Sequence, residues 1–311
     1  MPLSKIQTTE NQVVPNLGRR NILINGAFQH WQRGTSFSSN VYGSDRWKLY
    51  APGGHAYSRS TDTPDYGLAS QPNGFQFSAS VGGSGDATGL TQFVESINAK
   101  HIPPSGSTKV ILSFYLKHTT NSGTAKITSV VGTMDSADNS GASTNRSTQN
   151  HNTTTGWVRY THEMTGADLT SAAANGLVVS IKHNGSGTTA FLLTGCQLEI
   201  NETVTPFEHR SFAEELSLCH RYCRSFSGLN FGRCRDGDSF YGGGIIFNPP
   251  MRTTPTLKSG ATYVVNSGNA GTPAINSGFN PNGDGVQMYN SATNWTANAF
   301  ARLTAIFEAE L

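Results

Sequence analysis

Charge is scarce in this chain. Only 14% of its 311 residues are Asp, Glu, Lys or Arg, against about 25% in ordinary globular proteins. The 22 basic residues barely exceed the 20 acidic ones. That balance excludes the basic footprint that duplex nucleic acid requires. Long apolar runs are missing as well. None approaches the ~20 residues of a membrane span, so no membrane insertion is expected. The opening MPLSKIQTTENQVVPNLGRR is polar and lacks the apolar core of a secretion signal, which predicts synthesis in the cytoplasm. Familiar catalytic patterns are absent too. There is no HExxH and no GxSxG, and the Gly-rich VGGSGDATG (81–89) lacks the GK[ST] ending that holds phosphates. Asp and Glu are few and dispersed, with no paired-acid motif of a glycosidase. The expectation is a non-enzyme with no cofactor.

Cysteine is also sparse: Cys196, Cys219, Cys223 and Cys234. Cys219 and Cys223 are four residues apart on a predicted helix. That spacing puts their Cβ atoms ~5–6 Å apart, wide for the ~3.8 Å of a disulfide. Adding Cys234 with His209 or His220 gives no zinc-ligand spacing. Buried free thiols are expected. Asp135, Asp138 and Asn139 in MDSADNSG, and Asp236 and Asp238 in RDGDSF, have the residue types of a calcium loop. They are read as turn residues without a metal.

What the chain has in quantity is Gly (34 residues), Ser, Thr and Asn, set between compact apolar runs. From Asn21 the predicted strands begin at NILINGAFQHW. DRWKLY (45–50), GFQFSAS (74–80), LTQFVESI (90–97), KVILSFYLKH (109–118), AKITSVV (125–131), WVRYTHEM (157–164), GLVVSIKH (176–183) and AFLLTGCQLEI (190–200) follow. Many alternate apolar and polar residues, as half-buried strands do. Polar stretches such as ADNSGASTNRSTQNHNTTTG (137–156) read as the separators. So many strands with no helix between them predict an all-β protein with an antiparallel jelly-roll β-sandwich over residues 21–210.

The single helix signature is PFEHRSFAEELSLCHRYCRSF (206–226). Ser211 and Glu214 make a capping box. Phe212, Leu216, Cys219, Cys223 and Phe226 make one apolar stripe. This predicts a short connecting helix over 211–227. Strand signals resume in SFYGGGIIFNPPMRTTPTLKS, ATYVVNS, GVQMYNS and NAFARLTAIFEAEL, a second, smaller β domain over 228–311. Residues 1–20 form a polar arm that orders on docking. Trp31, Trp47 and Trp157 sit in strand patterns and read as core. Tyr241, Tyr289 and Trp295 lie in or near Gly/Asn-rich loops, where an exposed ring can stack on a sugar. They are the candidate ligand-binding residues.

NILINGAFQHWQRGTSF with SDRWKLY, and later GCQLEINETVTPFEHRSFAEELSLCHRYCRSF, resemble a module of bacteriophage tail-fibre and other virion structural proteins. The same pattern resembles carbohydrate-binding-module jelly rolls. It has a first strand with NGxF and W, a middle strand like VILSFYLKH, a W-x-x-Y strand and a closing QLE strand that pairs with the first. IIFNPPMRTTPTL and the ending FEAEL resemble a small β domain that follows the helix in such phage proteins. Cys219 and Cys223 depart from the pattern. The resemblance implies a tail fibre or spike subunit in the virion, assembled in the host cytoplasm. Its implied partners are two further copies of itself in a homotrimer, other virion proteins docked through residues 1–20, and a bacterial surface glycan. A capsid-surface decoration or head-fibre protein is the non-enzymatic alternative, and a polysaccharide depolymerase the enzymatic one.

Overall fold

The computed structural model describes residues 19–38, 40–50, 56–64, 77–84, 88–121, 126–184, 188–233, 240–265, 270–271, 274–275, 283–290 and 300–311. Most of the proposed docking arm (residues 1–18), Cys234, Asp236, Asp238 and Trp295 lie outside them.

The first unit contains β1 (Ser36–Ser38), β2 (Lys48–Tyr50), β3 (Ala56–Ser60), β4 (Ser78–Ser84), β5 (Gly89–Val94), β6 (Lys109–Asn121), β7 (Lys126–Met134), β8 (Ser143–His151), β9 (Val158–Thr165), β10 (Leu177–Asn184) and β11 (Thr188–Ile200). They form two antiparallel sheets. One runs β1-β3-β4-β11-β6-β9, the other β2-β5-β10-β7-β8. This is a jelly-roll β-sandwich. Two one-turn helices, α1 (Ser96–Ala99) and α2 (Ala172–Asn175), lie in its connections. The inner faces supply Tyr57, Val81, Leu112, Phe114, Ile127, Val131, Ile181, Phe191 and Leu193 to one core, all fully buried. β5 and β7 are buried on both faces over most of their length, so Thr91, Gln92, Thr128, Ser129 and Thr133 are buried along with their apolar neighbours.

Two expectations about this unit are corrected. NILINGAFQHW forms no strand; β1 starts at Ser36. The segment still runs along β11. The Ile22 amide donates to the Leu198 carbonyl, and the Cys196 amide to the Gly26 carbonyl, both at 2.9 Å. Asn21 adds side-chain bonds to the Cys196 carbonyl and the Leu198 amide. A bulge in β11 between Thr194 and Gln197 opens the ladder there. Asn25, in the left-handed region (φ 56°), then turns the chain away. The second correction is STNRSTQNH, read as part of a separator. It is the nine-residue edge strand β8, exposed at nearly every position. It carries no apolar residue because neither of its faces is buried.

The helix is shorter than 211–227. α3 spans Phe212–His220, capped by Ser211, whose hydroxyl accepts from the Glu214 amide at 3.2 Å. Cys223 and Phe226 belong instead to β12 (Cys223–Arg233). The buried face of α3 carries Glu215 and Cys219, and Phe212 is 59% exposed. The predicted stripe fails because a strand partner claims residues 223 onward: β12 pairs with β19 (Phe300–Glu308) starting at Cys223↔Glu308. Before β19 come β13 (Phe240–Ile246), β14 (Thr256–Leu257), β15 (Thr262–Val265), β16 (Ala270–Gly271), β17 (Ala274–Ile275) and β18 (Gly285–Asn290). β19 lies inside one sheet (β12-β19-β15-β16, with β14 also on β19), and β13-β18-β17 form the other. Ile245, Phe247, Met251, Val286, Leu303 and Phe307 make a separate core.

The segment PFEHR explains what α3 is for. Glu208 accepts the Arg20 and Asn21 amides, each at 3.0 Å. Arg210 donates to the Asn21 and Leu23 carbonyls and pairs with Glu208 and Glu215. Glu215 accepts the Asn25 amide at 2.5 Å. A buried backbone with no ladder must find partners for its polar groups, and these three side chains supply several of them.

Candidate functional site

Trp157 immediately precedes β9, and its register places it on the outer face of the β6–β9 sheet. Leu116 pairs with Val158 and Tyr115 with Arg159, so Lys117 stands opposite Trp157. Both side chains converge on Asp62, which follows β3. The Trp157 indole N–H donates to Asp62 Oδ1 at 2.9 Å, and Lys117 Nζ donates to Oδ2 at 2.6 Å. Asp62 is fixed in turn: its amide donates to Ser60 Oγ at 3.1 Å and its carbonyl accepts from Ser78 Oγ at 2.6 Å. The indole is half-buried, and the Asp62 and Lys117 side chains are 43% and 28% exposed.

Burial opposes ionisation of Asp62. The hydrogen bonds from Lys117 and Trp157, with the lysine charge, outweigh it and hold the carboxyl below its usual range. A carboxyl so held is ionised at neutral pH, which suits an acceptor and not a general acid. Each Asp62 oxygen keeps a further lone pair and the ammonium two further protons. The cluster therefore offers an acceptor and a donor side by side, next to a fixed aromatic ring. Chemically, that combination can hydrogen-bond adjacent hydroxyls while the ring packs on an apolar C–H face.

Further along the sheet, Arg159 is committed: one amino group donates to Ser113 Oγ at 2.9 Å and to the Thr205 carbonyl at 2.5 Å. Phe207 packs with Ala27 and Tyr115 over this part of the face. The segment after β11 thus covers one end of the outer face and leaves the Trp157 end uncovered by it.

Of the residues singled out in the C-terminal part, Tyr241 lies on β13 and Tyr289 on β18, directly opposite one another in the antiparallel register. The structure thus brings these two together on strands, not loops. Of the calcium-type residues, Asp138 accepts the Ser96 amide and hydroxyl at 2.6 and 3.1 Å. Asp135 accepts from Thr144 Oγ1 at 2.7 Å. Cys196, Cys219 and Cys223 are buried free thiols, and burial pushes all three up. No group of three His, Cys, Asp or Glu side chains arranged for a metal occurs among the described residues. Trp31 is half-buried and Trp47 fully buried. Trp157 alone of the three joins a surface cluster. Its Asp62 partner is 95 residues away in sequence, and no local pattern connects the two.

No protein-family model and no curated protein matches the chain. Solved structures do resemble it. A CBM22-1 xylan-binding domain from Paenibacillus barcinonensis Xyn10C is 14% identical, with a TM-score of 0.35, over 59% of this chain and 96% of that domain. The enzymatically active domain of bacteriophage CBA120 tailspike protein 4 is 13% identical, with a TM-score of 0.35, over 58% of this chain and 21% of that one. A cyclase from Fischerella sp. TAU is 13% identical, with a TM-score of 0.39, over 60% and 98%.

Proposed function

We propose that this chain is a non-enzymatic appendage protein of a bacteriophage virion that binds a bacterial surface glycan through its sandwich. The observation that carries the glycan reading is the Trp157–Asp62–Lys117 cluster: an indole ring locked by its own N–H beside a half-exposed carboxylate–ammonium pair. Sugar C–H faces stack on the ring, and neighbouring hydroxyls bridge the ion pair. The virion reading is supported by the resemblance of residues 21–37, 44–50 and 195–226. It implies that the polar arm 1–20 docks on other virion proteins and that three copies make one appendage. The C-terminal aromatics Tyr241, Tyr289 and Trp295 form a second, weaker proposal for the same ligand class. The test is a printed array of bacterial glycans probed with wild type, Trp157→Ala and the double variant Tyr289→Ala/Trp295→Ala. Loss of signal only in Trp157→Ala supports the sandwich site, and loss only in the double variant moves it to the second unit. No wild-type signal on any glycan overturns the binding reading. Release of reducing sugar from a bound polysaccharide overturns the non-enzymatic one.

A further inference from the structure

Trp157 hangs from a short loop, residues 152–156, pinned from inside the sandwich. The His118 amide donates to the Thr154 carbonyl at 2.9 Å. His118 Nδ1 lies 2.5 Å from Thr153 Oγ1. Tyr160 donates to the Asn152 carbonyl at 3.0 Å. Just before the loop, His151 ends a chain of polar groups that crosses between the sheets. Ser147 Oγ lies 2.8 Å from His162 Nε2, His162 Nδ1 lies 2.9 Å from Ser129 Oγ, and Ser129 Oγ lies 2.7 Å from His151 Nε2. His118, His151, His162 and Ser129 are all buried.

The hydrogens of this chain can be counted. Each hydroxyl carries one, and each neutral imidazole carries one N–H and one acceptor. With both rings neutral the chain closes: Ser147 donates to His162, His162 to Ser129, and Ser129 to His151, or all three reverse. With both rings charged, the Ser129 oxygen meets two N–H donors and its own hydrogen loses its acceptor. Two cations then share one hydroxyl in a desolvated site, the costly arrangement for buried charge.

The groups facing this site do not relieve that cost. β6 contributes His118, and β9 contributes Tyr160. β10 contributes His183, which shares Ile127 as cross-strand partner with His151 and so lies on the same face of the sheet. Arg146 on β8 donates to Thr133 Oγ1. Lys126 at the start of β7 is exposed. Among the described residues of β6 to β10 the one carboxylate is Glu163, whose exposed position alternates with that of buried His162. Asp62 and Lys117 are engaged with each other on the outer face.

We propose that the histidines behind Trp157 make its presentation acid-sensitive: protonating His118, His151 and His162 loosens the 152–156 loop, withdraws the indole from Asp62 and weakens ligand binding. The consequence for binding rests on the glycan reading of the Trp157 cluster; the loop transition does not. Burial lowers all three histidines below their ordinary range. A neighbouring histidine adds to this at His118 and His162, and His162 reaches about 4. The folded loop therefore binds fewer protons than the loosened one, and acid favours loosening.

The experiment uses the full chain with 15N-labelled tryptophan, the Trp157 indole resonance being assigned by Trp157→Phe. Between about pH 7 and about pH 4, spanning the window from an ordinary histidine down to the lowered value of His162, that resonance should shift away from its hydrogen-bonded position. Far-UV circular dichroism should stay constant across the same range. His118→Gln and His162→Gln, separately or combined, should move the midpoint to lower pH; two single variants are used so that one that fails to fold does not decide the result. An indole signal unchanged over the range, a midpoint unaffected in every folded variant, or a shift that coincides with loss of circular dichroism would each overturn the proposal. A clean indole transition with no array binding at neutral pH would overturn only the glycan reading.

Discussion

Arg210 illustrates how much of this fold rests on single polar side chains. Its guanidinium is 4% exposed and pairs with Glu208 and Glu215 while serving two backbone carbonyls. Removing it strands two partly buried carboxylates and two acceptors at once. Arg210→Met should cost about 3–5 kcal/mol, the range for breaking a buried ion pair from one side. Urea unfolding of the variant checks this, and a loss below about 1 kcal/mol, the scale of an exposed pair, would show that the clamp is dispensable. The histidines set a second expectation. His30, His162 and His220 are each lowered to about 4, by burial first. A charged or titratable neighbour adds to this in each case: His220 beside His30, His151 beside His162 and Arg224 beside His220. A base whose folded pKa lies below its unfolded value leaves the folded state binding fewer protons. Stability is then full above about pH 6.5 and falls as pH drops toward about 4. Thermal unfolding midpoints should decline over that window, and less steeply in His30→Gln. A flat profile would mean these rings titrate normally.

At the level of elements, α3 and β12 divide a segment that reads as one helix, and the division reverses which aromatics matter. Phe212 rests on His30, ring centroids 4.4 Å apart, but stays mostly exposed. Phe226 sits on β12 and packs against Phe247 and Phe307 in the second core. Phe212→Ala should therefore cost under about 1 kcal/mol, as exposed positions do. Phe226→Ala should cost about 3 kcal/mol, as truncated core aromatics do. Equal losses in paired denaturation curves would contradict the division. The strands β5 to β7 and β9 to β11 were legible because strand-length apolar patterns coincide with burial in them; β4 (Ser78–Ser84) was legible only in its first half, because its VGGS reads as the start of a Gly-rich loop. β8 was not, because an edge strand exposed on both faces has no period to read. The helix start was legible from Ser211 and Glu214, whose bonds are local. Its end was not, because Cys223 pairs with Glu308, far along the chain. The candidate site was hidden for the same reason: Trp157 was visible as a strand residue, but Asp62 reaches it only through the sheet.

At the scale of the whole molecule, the fibre resemblance predicts a trimer, and light scattering should return about three times the 33.2 kDa chain mass; a monomer at every accessible concentration would remove that expectation. Within one chain, the structure makes a further demand. The two β units have separate cores, which taken alone suggests two unfolding steps. Yet the residues at the end of β19 are built into the first unit. Arg33, with a fully buried side chain, pairs with Glu308 at 2.6 Å, Glu310 at 2.9 Å and Asp45 at 3.4 Å. Arg46 pairs with the other Glu310 oxygen, donates to the Phe93 carbonyl and lies 3.5 Å over the Tyr222 ring. Tyr222 donates to Glu95 at 2.8 Å, and Arg221 holds the same carboxylate through both oxygens. Leu311 packs on Phe93, Met134 and Val178, on the sandwich surface away from its main core. Unfolding the second unit alone would leave Arg33 and Arg46 buried in the first without Glu310, and two buried cations without their shared anion are far costlier than the contacts of an ordinary domain boundary; unfolding the first alone would strip Glu308 and Glu310 of their arginine partners. The described parts should therefore melt in one calorimetric transition. Glu310→Ala should lower its stability by about 3–5 kcal/mol, while Glu310→Gln, which keeps the shape and one acceptor oxygen, should lose less. Two separated transitions in the wild type, neither moved by Glu310→Ala, would show that the last strand merely touches the sandwich and does not couple it to the second unit.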